Sequence, residues 1–166
     1  DLMAAEGITQ ELLLNTAFCL ESKSEHPLAK AILQYGKEKG VEKKEVSEFE
    51  VLPGNGLVGT LDGEKLIGGN LKFILSKIKM ETNLQEQINV QASKLAIEGK
   101  TPLFFVKGDT FLGTIAVADV MKEDSKQAIN ELKNMGIHVV MLTGDNEKTA
   151  WAIGKQAGVD EVIAGV

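Results

Sequence analysis

Residues 49–70 read FEVLPGNGLVGTLDGEKLIGGN: short β-prone runs separated by glycine clusters, with Asp62-Gly63 between two of them. Asp-Gly between such runs is a hairpin signal, because both residues tolerate the positive φ that a two-residue turn requires. A meander of antiparallel strands is expected here. Upstream, residues 9–22 read as a helix: Thr9 is placed to cap it, Glu11 suits its first turn, and Leu13, Ala17 and Leu20 share one face. A second helix starts at Pro27, carries Leu28, Ala31, Ile32 and Tyr35 in phase, and ends by Gly40. The two helices meet over residues 21–26. Downstream, residues 71–78 form a short helix and 83–98 a longer one, with Asn83 and Glu86 spaced as a capping box, Leu84, Ile88, Ala92 and Leu95 in phase to cover one face of the sheet, and Gly99 as its stop. A hairpin of residues 102–106 and 111–117 closes the unit, so an antiparallel α+β domain is expected over residues 1–117.

From residue 118 the pattern changes. A helix over 124–135 stops at Gly136, the strand IHVVML (137–142) follows as a buried-type run, the polar TGDN leads into a helix over 148–157, and VDEVIAG supplies a last short strand. Helix and strand alternating in this way build a parallel, Rossmann-like sheet. Two strands do not make such a sheet stable, so residues 118–166 are read as part of a second, α/β domain. With no initiator methionine and an end just after a short strand, the sequence reads as a piece of a longer protein.

Composition narrows the function. The formal charge is -6 and no run of lysines and arginines occurs, which disfavours nucleic acid or an anionic membrane surface as a partner. No apolar run approaches the roughly 18–20 residues that cross a bilayer, so the chain itself is expected to be soluble and monomeric. One cysteine, Cys19, and two histidines supply neither a disulfide nor a clustered metal site, so no metal-ligand set is expected. Cys19, among apolar residues, reads as a core side chain, and His138, at the start of a buried strand, as structural.

Three places could carry chemistry. Thr143, Gly144 and Asp145 follow a strand and precede a helix, where an anion meets backbone amides; equally, Asp145 or Asn146 could simply cap that helix. Gly54 and Gly56 in PGNGLVG allow close backbone approach to phosphate or ribose, yet glycine turns between strands are common, and neither the lysine of a P-loop nor the strand-to-helix setting of a dinucleotide fingerprint is present. His26 sits at a helix start, where it could satisfy the first turn; alternatively its imidazole offers a face to a purine whose amino group Glu21 accepts.

Taken together, SEHPLAKAI, PGNGLVG, IGGN, GTIAVADVMKEDSKQAI and MLTGDN occur in the order and spacing of heavy-metal-transporting P-type ATPases, and nearly the whole chain resembles that family. Ser-Glu-His-Pro looks like the hallmark of the metal-transporting branch, whereas TGDN is shared by all P-type ATPases. The resemblance implies a nucleotide-binding domain, residues 1–117, inserted into a haloacid-dehalogenase-like phosphorylation domain, of which residues 118–166 are part. It implies that Glu21 and His26 help hold adenine, that Gly54 and Gly56 line the phosphate and ribose region, and that Asn70 completes the pocket. Thr143, Gly144 and Asp145 match the loop that approaches the γ-phosphate and its magnesium. Asp119 and Lys122 match a hinge-side motif in which Val120 here replaces the usual proline.

The implied ligands are ATP or ADP with Mg2+, and the implied partners are the phosphorylation, actuator and membrane domains of the same ATPase, at the cell membrane with this domain on the cytoplasmic side. The family's Asp-Lys-Thr-Gly-Thr and Gly-Asp-Gly-x-Asn-Asp segments do not occur in the 166 residues, so nucleotide binding without phosphorylation is expected of the chain alone. ADVMKEDS looks more like the copper branch than the zinc and cadmium branch, and Cu(I) export is the expected activity of the whole protein. A free-standing haloacid-dehalogenase-like phosphatase would need an early Asp-x-Asp strand, and a metallochaperone would need Cys-x-x-Cys; the sequence offers neither.

Overall fold

The computed structural model describes every residue except 119, 120, 123 and 146. Asp119 and Val120 of the hinge-side motif, and Asn146 as a cap, therefore lie outside the described residues. Two compact units emerge: residues 1–89 with 102–117, and residues 90–101 with 118–166.

In the first unit, β1 (Leu2–Ala4), α1 (Gln10–Glu21), α2 (Pro27–Glu38), β2 (Ser47–Leu52), β3 (Gly56–Leu61), β4 (Glu64–Gly69) and α3 (Leu71–Lys77) precede α4 (Thr82–Ile97), which runs on into the second unit; β5 (Lys100–Lys107) and β6 (Thr110–Ala118) complete the sheet. The six strands lie in the order β1-β6-β5-β4-β3-β2, and the pairs β1/β6, β2/β3, β3/β4 and β4/β5 are antiparallel. Asp62 and Gly63 have φ of 51° and 79°, so the β3–β4 turn has the two positive dihedrals that Asp-Gly is suited to supply. The edge strand β1 was not legible in the sequence: three residues are too few for a period-2 pattern, and pairing of Leu2 with Ile115 and Ala4 with Gly113 defines it.

Thr9 caps α1 by accepting from the Leu12 amide at 3.1 Å. The helix is buried on most sides: Leu13, Leu14, Ala17, Phe18, Cys19 and Leu20 are all at most 6% exposed. Leu13, Leu20, Leu66, Phe105 and Leu112 form the centre of the core. The α2 stripe differs from the one expected. Ala29, Ile32 and Gly36 face inward, while Ala31 and Tyr35 are exposed, because Gly36 lies directly against the Phe18 ring, where a side chain would not fit. The start of α4 also differs from expectation. Asn83 lies inside the helix and is no capping box, since the helix begins at Thr82 and the Gln85 side-chain amide donates to the Met80 carbonyl at 2.7 Å.

In the second unit, α5 (Ser125–Asn134), β7 (Val140–Thr143), α6 (Glu147–Ala157) and β8 (Glu161–Ala164) follow in order, with β7 and β8 parallel. The expected buried strand is shorter than its apolar run and only half covered. Gly154 of α6 lies against Val162 and Met141, so these face the helix, while Val140, Leu142 and Ile163 point the other way and are exposed. His138 precedes β7, exposed, within 3.3 Å of the Glu161 carboxylate, and is not the buried strand residue expected.

The β3–β4 pair is built around glycines that leave no room. A Cβ on Gly68 would lie 2.7 Å from the buried Phe105 ring and 3.0 Å from Leu20. Gly68→Ala is therefore expected to destabilise the chain by about 2 kcal/mol, as overpacking of a tight core does, read as a lower urea midpoint at unchanged slope.

Candidate functional site

Glu21 is the last residue of α1 and His26 the N-cap of α2, so one tight turn, residues 22–25, carries both. Local hydrogen bonds shape it. The Ser24 amide donates to the Glu21 carbonyl at 2.9 Å, the Ser22 hydroxyl to the Cys19 carbonyl at 2.8 Å, and the His26 amide to Ser24 Oγ at 3.3 Å. The His26 ring caps α2, its Nδ1 accepting from the Leu28 amide at 3.2 Å. The expectation that His26 satisfies the first turn of α2 is thus what the geometry shows. Accepting at Nδ1 places the proton of the neutral ring on Nε2, and the side chain is exposed, so its face and its N–H remain open to a ligand.

Glu21 is 6% exposed. Burial raises its pKa from 4.5 to about 7, opposed by a hydrogen bond with Ser24. Near neutral pH the carboxyl is therefore partly protonated and offers both a donor and an acceptor.

Gly54, Gly56 and Asn70 form a second cluster. Asn70 caps α3 by accepting from the Phe73 amide at 2.8 Å, donates from Nδ2 to the Gly54 carbonyl at 2.9 Å, and donates from its backbone to the Asn55 carbonyl at 3.0 Å. It therefore fastens the 53–56 loop to α3. The two glycines differ. Gly54 needs its positive φ of 73° and has nothing within 4 Å of a would-be side chain, so its outer side is open to a ligand. Gly56 instead abuts the Gly68 carbonyl, with Gly69 Cα 2.7 Å and the Phe73 ring 2.9 Å from a would-be Cβ. Its first role is to let β3, β4 and α3 approach, and a bulky residue there would disturb the fold before any ligand.

The two clusters belong to one unit. Leu20, next to Glu21, would touch a Cβ on Gly68 at 3.0 Å and on Gly59 at 3.3 Å, which seats the end of α1 on the glycine-bearing strands. Thr143, Gly144 and Asp145 lie in the other unit. The Thr143 hydroxyl donates to the Asp145 carboxylate at 2.8 Å and accepts from the Asp145 amide at 3.2 Å. The Gly165 amide donates to the Asp145 carbonyl at 3.1 Å, which ties the loop to the end of β8. Among the described residues no group of three His, Cys, Asp or Glu side chains is placed to hold a metal ion. One exposed carboxylate and a hydroxyl fit a magnesium ion only if it arrives with phosphate oxygens to complete its shell. Ser24, which touches Glu21 and His26 alike, stands in the Ser-Glu-His-Pro motif, but the sequence assigned it no role of its own.

The haloacid dehalogenase-like hydrolase profile matches residues 3–166. The chain belongs to that family. It is 42% identical over 149 residues to the "Probable copper-importing P-type ATPase A" of Enterococcus hirae, a match covering 89% of this chain and 20% of that protein. It is 42% identical over 154 residues to the copper-exporting P-type ATPase of Staphylococcus aureus (strain JH9), covering 93% of this chain and 18% of that protein. Among solved structures, a zinc-transporting PIB-type ATPase in its E2.Pi state superposes with a TM-score of 0.74 at 29% identity, over 100% of this chain and 26% of that one. The N-domain of HMA8, a copper-transporting P-type ATPase, matches with a TM-score of 0.58 at 20% identity, over 72% of this chain and 98% of that one, a likeness of fold alone. This haloacid dehalogenase-like chain therefore has the P-type ATPase relatives its motifs announced, and it spans no more than 20% of the length of these two relatives. No described helix is long and apolar enough to cross a membrane.

The buried carboxyl gives a pH signature. The folded chain holds the Glu21 proton more tightly than the unfolded chain, so unfolding releases a proton between pH 4.5 and about 7. The contribution is fully present below pH 4.5, falls as pH rises, and is lost above about 7. Glu21→Gln is expected to flatten this slope, matching wild type near pH 4.5 and exceeding it at pH 8 by up to about 3 kcal/mol, measured by urea unfolding across the range.

Proposed function

We propose that the chain comprises the nucleotide-binding domain, residues 1–117, and part of the phosphorylation domain, residues 118–166, of a P-type ATPase that exports a heavy-metal cation, Cu(I). The observation that carries the nucleotide reading is the turn between α1 and α2, which presents an exposed imidazole and a buried carboxyl, partly protonated near neutral pH, five residues apart. Adenine suits that pair. A flat ring packs on the imidazole, while the carboxyl accepts from the exocyclic amino group and, when protonated, donates to a neighbouring ring nitrogen. Guanine reverses the donor at that edge and fits it worse.

The open side of Gly54 and the loop that Asn70 fastens take the ribose and phosphates, and Thr143, Gly144 and Asp145 belong at the γ-phosphate end. Magnesium, when bound, neutralises phosphate charge, and Asp145 is the side chain suited to it here. The aspartate that receives the phosphoryl group belongs to a segment outside these 166 residues, so the chain alone binds nucleotide without turnover. Copper is favoured over zinc because the 42% relatives are named for copper and the zinc-transporting neighbour stands at 29%. The whole protein is placed at the cell membrane, with this domain on the cytoplasmic side.

Asparagine is also a good N-cap but carries no aromatic ring, so His26→Asn separates the two roles of the histidine. The variant is expected to melt close to wild type and to bind ATP more weakly by about 1–3 kcal/mol, in line with base–aromatic stacking. Chemical-shift titrations with ATP, ADP and GTP measure this, and the wild-type chain should prefer both adenine nucleotides to GTP. If His26→Asn binds ATP like wild type, His26 is a cap alone and the adenine assignment fails.

A further inference from the structure

We infer that Lys23 is a positioning residue for the adenine-binding turn, clamping residues 22–26 onto the start of the sheet; this rests on the nucleotide reading above. Each other hydrogen bond that shapes the turn is local, running from residues 22, 24, 26 and 28 to atoms two or three positions away. Such bonds fix the turn's shape and leave its placement over the strands open. The Lys23 ammonium donates to the Val46 carbonyl at 2.7 Å, across 23 positions of sequence. Among the described residues no other hydrogen bond from residues 22–26 leaves the α1–α2 pair.

The acceptor is well chosen for a fixed point. Val46 is 1% exposed, belongs to the core, and packs against Gly59 of β3, one residue before β2 begins. β2 then runs to Leu52 and delivers the 53–56 loop that Asn70 fastens. Lys23 therefore ties the turn bearing Glu21 and His26 to the base of the strand that leads to Gly54. It sets the distance between the part that holds the base and the part that holds ribose and phosphate. With its ammonium engaged by the Val46 carbonyl, Lys23 acts through the placement of the turn. A long side chain with one charged donor is suited to the task, since a charge-assisted bond to a carbonyl is stronger than a neutral one and the stem spans the gap.

The test compares ATP and GTP binding by wild type, Lys23→Met and Lys23→Arg in the 166-residue chain, alongside melting curves. Lys23→Met is expected to bind ATP about fivefold to tenfold more weakly with GTP binding little changed, so that the preference for adenine shrinks, and Lys23→Arg is expected to restore most of it. A general loss of stability would lower melting and both affinities without moving their ratio. A wild-type ATP to GTP ratio in Lys23→Met overturns the inference and leaves the nucleotide reading standing. Wild type that binds ATP and GTP alike overturns both. If Lys23→Met is unfolded, Lys23→Gln, which is one atom shorter and keeps a neutral donor, carries the same comparison with the same deciding ratio.

Discussion

The packing of Leu20 against glycines of β3 and β4 is the contact on which the first unit depends. Leu20 is fully buried, and its methyl groups lie 3.3 Å and 3.0 Å from where a Cβ at positions 59 and 68 would sit, beside Val46 and Phe105, which would be met first. A helix seated this closely leaves its last residue, Glu21, nowhere to go but the protein interior. Burying a leucine completely contributes about 1.5–3 kcal/mol, and holding the Glu21 carboxyl ionised in the same place costs a comparable amount. The two terms nearly offset at alkaline pH, where the carboxyl is ionised; below about pH 7 the carboxyl keeps its proton and the helix is seated without that cost. The raised pKa of Glu21 is thus a consequence of burial at the helix end that Leu20 anchors.

The same constraint explains how much could be read from the sequence. Elements fixed by local rules were legible: the Thr9 cap, Pro27 at a first helical turn, the Asp62-Gly63 hairpin, the glycine stops. Elements fixed by a distant partner were not. The strand β1 exists because β6 pairs with it, the inward stripe of α2 is rotated because Phe18 needs the bare backbone of Gly36, and β7 is half exposed because α6 covers only its Met141 side. Periodicity identifies a helix or strand, but which stripe faces inward is decided by the neighbour's shape.

The candidate site shows the same division. Gly54 and Gly56 stood out as glycines in a turn and His26 as a histidine at a helix start, Asn70 came only from the family resemblance, and the structure gathers Gly54, Gly56 and Asn70 around one loop and His26 with Glu21 on one turn. Their reasons for being there differ in ways composition does not reveal. Gly56 is required by backbone contact with β4, Gly54 by its dihedral angle, and Asn70 by three hydrogen bonds to its own surroundings. Ser24 was singled out only as part of Ser-Glu-His-Pro and Lys23 not at all, because a serine and a lysine between two helices carry no local sign of their partners. Only coordinates reveal that one joins Glu21 to His26 and the other reaches Val46.

His26 makes the general point about such sites most plainly. A helix start leaves amide donors unsatisfied, and a side chain that satisfies one is held in a single orientation by doing so. Serine or aspartate would cap α2 as well, but neither presents a ring afterwards. Histidine uses one nitrogen for the helix and leaves the rest of its exposed ring uncovered and already oriented. The capping bond also selects the tautomer, leaving Nε2 as the donor when the ring is neutral. The bond that ends at the Leu28 amide aims the imidazole, and the proline that follows restricts the backbone from which it is aimed.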